Sequence, residues 1–239
     1  MQEDVVEIVE TLPVKKGVPA VIFGFAGPGF IGNTAVMYVV RNKGFRQRAH
    51  LRSNLVPPMM LVLDGRPEHS MRIYSSEKED VLLAASELMF TTKDTWRVGE
   101  RLMDWLVSKG VKDYISIEGM PFASPTKERT VLGFSTEGDP SKHGVQTIKE
   151  GAVTGLNACL LELCMSRKLP WTSLLVPTNL LSAVDYGGTA AAIEVLNRMF
   201  KFGMDAEPLK QRDEMLRQAF EKQAKSKPSG FLGSLGRRT

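Results

Sequence analysis

The sequence predicts a mixed α/β domain, a central sheet flanked by helices, and three observations predict it. Short apolar runs bounded by turn residues recur along the chain, Val18 to Phe25 the strongest of them, and read as strands. Between them lie stretches with apolar residues at helical spacing, such as Ile31, Ala35, Val36, Val39 and Val40. The two patterns meet at Gly27-Pro28-Gly29-Phe30-Ile31-Gly32, a glycine-rich turn leading from a buried strand into a helix. At 239 residues, 43% hydrophobic and 24% charged, the chain is long enough to bury a sizeable core.

Val5 to Leu12 and Val18 to Phe25 read as the first two strands, and Asn33 to Lys43 as a helix stopped by Gly44. Four short strand-like runs follow: Ala49 to Asn54, Met59 to Leu63, Met71 to Ser75 and Val81 to Ser86. Pro57-Pro58 and Asp64-Gly65-Arg66-Pro67 punctuate them as turns. Thr92 to Lys109 is a helix with Leu102, Trp105 and Leu106 on one face, and Tyr114 to Glu118 is a strand. Gly119 to Gly144 reads as a long polar loop enclosing a short apolar run, Val131 to Phe134. Helix Gly151 to Lys168, strand Ser173 to Pro177 and helix Gly187 to Lys201 complete a core expected to span residues 1–204.

A last helix, expected within residues 205–227, opens on Pro208 and carries only a thin apolar seam of Leu209, Leu216 and Phe220. So thin a seam buries little against its own domain, which makes the helix a candidate for a neighbour's groove. Residues 228–239 read by composition as a flexible basic tail. Leu216, Phe220, Phe231 and Leu232 are therefore candidate protein-docking residues.

The acidic start and the absence of a long apolar run predict a cytoplasmic protein without a membrane span. Cys159 and Cys164, five apart in an apolar helix, read as buried thiols on different faces. His50, His69 and His143 are scattered, so no metal and no cofactor is expected. Residues 201–239 hold nine Lys or Arg against five Asp or Glu, which accounts for the whole net charge of +4. A neutral body with a basic tail argues against nucleic acid as the partner. Arg46, Arg48, His50 and Arg52 alternate and so share one strand face, either a charge-protected edge or a docking face for an acidic protein surface.

The glycine turn matches G-x-G-x-x-G, the fingerprint of dinucleotide binding. A dinucleotide fold also needs an acid about 20 positions on, at the end of the next strand, where this chain has His50-Leu51-Arg52-Ser53-Asn54. Pro28 removes one N–H from a turn that would donate to phosphate. The favoured reading is that Gly27, Gly29 and Gly32 let the strand turn sharply into a tightly packed helix, with an NAD(P) site the lesser alternative. Glu118, Asn179 and Asp185 fall at or just past strand C-termini, the edge where open α/β sheets form ligand crevices. With the three glycines they form a candidate small-molecule crevice; in the alternative, Asp185 caps the next helix and Glu118 pairs with a nearby Arg or Lys.

Three segments in order carry a family resemblance: Gly24-Phe-Ala-Gly-Pro-Gly-Phe-Ile-Gly-Asn-Thr-Ala-Val, Gly151-Ala-Val-Thr-Gly-Leu-Asn-Ala-Cys-Leu-Leu and Val184-Asp-Tyr-Gly-Gly-Thr-Ala-Ala-Ala-Ile-Glu-Val-Leu. Over residues 15–203 the chain resembles the proteasome assembly chaperone family, in its archaeal and bacterial branch. The resemblance implies a single domain related to nucleoside phosphorylase-like folds, a homo-oligomer, and a non-catalytic role in holding proteasome α subunits during assembly. Members that dock on the α ring often end in a hydrophobic residue, Tyr and any residue. This chain ends Gly236-Arg237-Arg238-Thr239, so docking is expected through another surface or through a second family member as partner. The alternative class is a small-molecule-binding protein or enzyme using the crevice.

Overall fold

The structure is a computed structural model and describes residues 4–78, 80–90, 92–121, 129–178 and 183–226. Its centre is set by four parallel strands: β2 (Ala20–Phe25), β7 (Val81–Ser86), β8 (Asp113–Pro121) and β11 (Trp171–Thr178), after β1 (Val6–Glu10), β3 (Arg46–Ser53), β4 (Met60–Leu63), β5 (Arg66–His69) and β6 (Met71–Ser75). Every residue of β2 and β7 is buried, as strands covered on both faces require. With β9 (Leu132–Ser135) and β10 (Gln146–Thr147) they form a nine-stranded mixed sheet in the order β1-β3-β6-β7-β2-β8-β11-β9-β10. Antiparallel strands flank the parallel centre on both sides.

Helices cover both faces. On one, α1 (Ile31–Lys43) and α4 (Tyr186–Phe200) pack on Ile22, Leu83, Ile115, Ile117 and Val176. On the other, α2 (Thr92–Ser108) and α3 (Gly155–Ser166) cover Phe23, Leu82, Tyr114 and Trp171. Phe23 stacks at 5.7 Å on Trp171 and 6.5 Å on Tyr114, tying the three central strands together through aromatic contact. The fold class is as the sequence predicts: mixed α/β with helices on both sides of a central sheet.

Four local readings change. Residues 119–121 belong to β8, and the apolar run near Val131 is β9, hydrogen-bonded to β11; the expected long loop therefore contributes two strands to the sheet. Arg66 and Pro67 start β5, which pairs with β4 through a turn with positive φ at both Asp64 (50°) and Gly65 (75°), outside the main sheet. Strand β3 lies between β1 and β6, so it is interior and β1 forms the edge. The last helix, α5 (Glu207–Ser226), packs on α4 through buried Leu209, a Lys210–Glu194 ion pair at 2.6 Å and Arg212 over the Tyr186 ring. Leu216 is half-buried and Phe220 exposed, so the seam is used at its first end only.

The glycine turn holds the layers together. Pro28–Phe30 form one 3-10 turn in which Gly29 takes φ 64°. A Cβ at Gly29 would stand 2.7 Å from Thr178 Oγ1 and 3.0 Å from Asp185 Cβ. A Cβ at Gly32 would stand 2.1 Å from the Ile117 carbonyl oxygen, so α1 enters directly against the β8 backbone. Replacing Gly29 by Val adds both left-handed strain and a clash, so Gly29→Val is expected to lose about 3 kcal/mol or more and to lower the melting temperature by many degrees. Gly27 is extended with open space around it, so Gly27→Ala is expected to melt like the parent. A Gly29→Val protein with the parent's melting curve would refute this account of the turn.

Candidate functional site

The residues predicted to share a crevice fall on two sides of the sheet. Along β8, Ile115 and Ile117 face the α1–α4 core while Tyr114 faces the α2–α3 core, so alternation sends Glu118 to the α2–α3 side. Gly29, Gly32 and Asp185 lie on the α1–α4 side. Asn179 lies outside the described residues, as do Phe231 and Leu232. Gly27 begins the turn, and a Cβ added there would meet nothing within 4 Å.

Asp185 caps α4: its Oδ1 accepts from the Gly188 N–H at 2.8 Å. Its Oδ2 accepts from Thr178 Oγ1 at 2.7 Å and from Arg129 Nη1 at 2.5 Å, and its own N–H donates to the Gly29 carbonyl. Both charged side chains are enclosed, Arg129 at 2% and Asp185 at 4% exposure. This buried, hydrogen-bonded pair locks α4 to the glycine turn and to β11, and losing either partner would strand a charge. On the far side of the turn a second clamp forms, in which wholly buried Arg72 grips Glu87 with both Nη atoms, at 2.7 and 3.0 Å, and Asn33 of α1 donates to the same carboxylate. Arg72 Nε donates to Tyr74 at 2.6 Å. The backbone that a pyrophosphate would approach is thus pressed on β8 and β11, which favours the packing role of these glycines over a dinucleotide site.

Among the described residues no cation pairs with Glu118. Ser116 Oγ donates to it at 3.3 Å, and the Asn157 side chain and the Thr154 N–H at the start of α3 also donate. Behind Ser116 the chain of contacts continues to Ser173 at 3.2 Å, its register partner on β11, and to Trp171 Nε1, which donates to Ser173 at 2.8 Å. Burial pushes the Glu118 carboxyl up to about 7, only partly offset by these three donors. Asn157 Oδ1 is buried without a partner. Among the described residues the expected partner of Glu118 is therefore not an Arg or Lys; burial and polar donors act on its carboxyl instead.

Of the candidate docking residues on β3, Arg52 meets Glu7 at 2.8 Å, Arg46 meets Glu77 at 3.9 Å, and Arg48 Nε donates to Ser75 Oγ at 2.8 Å beside a bulge. Neighbouring carboxylates thus dilute the positive face. His50 and His69, far apart in sequence, stack with ring centres 3.5 Å apart where the β4–β5 hairpin meets β3. Burial, then His69 and Arg52, lower the His50 pKa. Cys159 and Cys164 are free and buried, their thiols pushed up to about 12 by burial.

Sequence patterning missed an apolar surface around α3. Clefts of about 590 and 360 Å³ flank α3 and share Ala158 and Glu162. Phe90 and Trp96 line the first and Met165 the second, with Trp96 44%, Met165 59% and neighbouring Met89 78% exposed. The usable signal was the odd spacing of Met89, Phe90 and Trp96, which do not share one helical stripe with Leu102 and Leu106. No helix among the described residues is long and apolar enough to cross a membrane.

The folded protein holds the Glu118 proton more tightly than the unfolded chain does. The stability tied to this residue is therefore complete below about pH 4.5 and falls as pH rises to about 7, by up to about 3 kcal/mol. Glu118→Gln keeps the shape and removes the charge. It is expected to melt higher than the parent at pH 8 and level with it near pH 4; equal melting at pH 8 would contradict the buried-carboxylate account.

Residues 21–224 match the family model described as the PAC2 family. No curated protein matches the chain. Among solved structures it resembles Pyrococcus furiosus PbaA, an archaeal homolog of proteasome-assembly chaperone, with a TM-score of 0.81, 23% identity and 92% of each chain covered. It also resembles Pyrococcus furiosus PbaB, an archaeal proteasome activator, at 0.79 and 19% identity over 92% of this chain and 98% of that one. A protein with unknown function from Thermoplasma acidophilum aligns at 0.73 and 26% identity over 88% of both. At the identities of the two Pyrococcus proteins the likeness speaks for the fold alone, whereas the family match spans most of the sequence: the chain belongs to the PAC2 family.

Proposed function

We propose that this protein is a cytoplasmic, non-catalytic protein-binding protein that assists the assembly of proteasome α subunits, as a homo-oligomer or with another family member. The observation that carries the reading is the family match across residues 21–224, with a structural likeness over 92% of the chain to a homolog of proteasome-assembly chaperone. The site geometry agrees with it. Asp185, Gly29 and Gly32 are spent on internal contacts, while Met89, Trp96 and Met165 present apolar area around α3. Exposed apolar patches of this kind serve protein contacts, and we assign the α-subunit contact to this one.

A second reading rests on Glu118, whose raised pKa in the C-terminal half of parallel strand β8 fits a small-molecule site. A ligand there would raise the melting temperature, and Glu118→Gln would remove that rise.

The deciding experiment is recovery of partners by the tagged full-length chain from extract of its own cells, beside a chain ending at Ser226 and a Met89→Asp, Met165→Asp variant. Proteasome α subunits are expected with the full chain and the Ser226 form, and at least about tenfold less with the double variant, a loss of about 1.4 kcal/mol of binding. Retention by the double variant with loss at Ser226 would move the contact to the tail. Recovery of no α subunit by any form would sink the assembly role.

A further inference from the structure

The cleft between α4 and α5 carries chemistry that the protein-binding reading does not use. It encloses about 570 Å³ and is lined by the basic side chains of Arg129, Arg198, Lys210 and Arg217 and the acidic ones of Glu194, Asp213 and Glu214. Three of the cations are already paired: Arg129 with Asp185, Lys210 with Glu194 and Arg217 with Asp213. Arg198 is not. Its Nε donates to the His143 carbonyl at 2.5 Å, and no carboxylate among the described residues pairs with it. A Cβ at Gly144 would stand 3.0 Å from Arg198 Nη2, so the glycine leaves room for the guanidinium at the cleft wall.

Two further donors are unspent. Arg129 Nε and Arg217 Nη2 are buried and have no acceptor among the described residues. Arg129 is enclosed to 98% (2% exposed). A buried guanidinium N–H without an acceptor is costly, and both arginines line the same cleft as Arg198, which has no carboxylate partner among the described residues. A phosphate group presents several acceptor oxygens on one centre and suits a cleft lined by three guanidiniums better than one carboxylate does. The cleft has the volume typical of small-molecule sites, larger than a bare phosphate needs.

We propose that the α4–α5 cleft binds a small organic phosphate, its phosphate group held by Arg198 together with Arg129 and Arg217. This site is separate from the Glu118 side of the sheet and from the apolar surface at α3, so it stands or falls independently of the assembly role.

Titration calorimetry on the full-length protein at fixed ionic strength tests it with three probes: inorganic phosphate, adenosine 5′-monophosphate and citrate. At least one phosphate probe is expected to bind with a Kd of about 1 mM or tighter. Arg198→Gln is expected to weaken that binding at least about tenfold while the unliganded melting temperature stays within a few degrees, because no carboxylate among the described residues pairs with Arg198. Arg198→Lys should recover part of the loss. A larger effect for the nucleotide than for inorganic phosphate identifies an organic body in the cleft; equal effects overturn that part and leave a phosphate site alone. Absence of heat with both phosphate probes at about 10 mM, binding of citrate alone, or undiminished binding in Arg198→Gln overturns the proposal.

Discussion

Close approach of backbone to backbone at the glycine turn is the constraint on which the rest of the structure depends. Gly32 lies against the Ile117 carbonyl, and Gly119 would place a Cβ 1.9 Å from the Pro28 carbonyl. Neither position admits even a methyl group without moving a strand. That approach fixes where α1 begins, and through the Gly29 carbonyl and Asp185 N–H it fixes where α4 begins. The Arg129–Asp185 and Arg72–Glu87 clamps then hold the turn from two directions. A motif that elsewhere makes room for a phosphate here makes room for the protein's own backbone.

The same arrangement divides the molecule chemically. The α1–α4 side gathers ion pairs and hydrogen-bonded caps at the sheet edge, satisfied at most positions. The α2–α3 side has the carboxyl of Glu118 under α3 and apolar side chains around it. Binding at one face need not disturb the other, because the fully buried strands between them are close-packed.

Much of the fold was legible in local patterning. Strands β6 and β7 and helix α2 begin where the apolar periodicity and turn residues place them. The misreadings share a physical cause: their signal lies in distant partners. β9 reads as loop because it is four residues long within a polar stretch, and its pairing with Leu174 and Thr172 is some forty positions away. β5 is concealed by Pro67, tolerated because this hairpin stands apart from the main sheet. The capping role of Asp185 was readable from its place before a helix. Its ion pair with Arg129 was not, and neither was the contact of Glu118 with Thr154 and Asn157 at the start of α3, since no spacing rule connects them. The His50–His69 stack escaped for the same reason.

The parallel centre of the sheet has a consequence for how the chain reaches this state. β2 pairs with β7 and β8, strands that follow it by about sixty and ninety residues, and β8 waits for β11 about sixty further along. The core is therefore absent until long loops have closed, and folding of such a topology is slow compared with that of helical bundles. Until then the run Ala20-Val-Ile-Phe-Gly-Phe has no neighbours to cover it. The newly made chain is itself an aggregation-prone client during that interval, and synthesis must run past Thr178 before its own central strands can be sheltered.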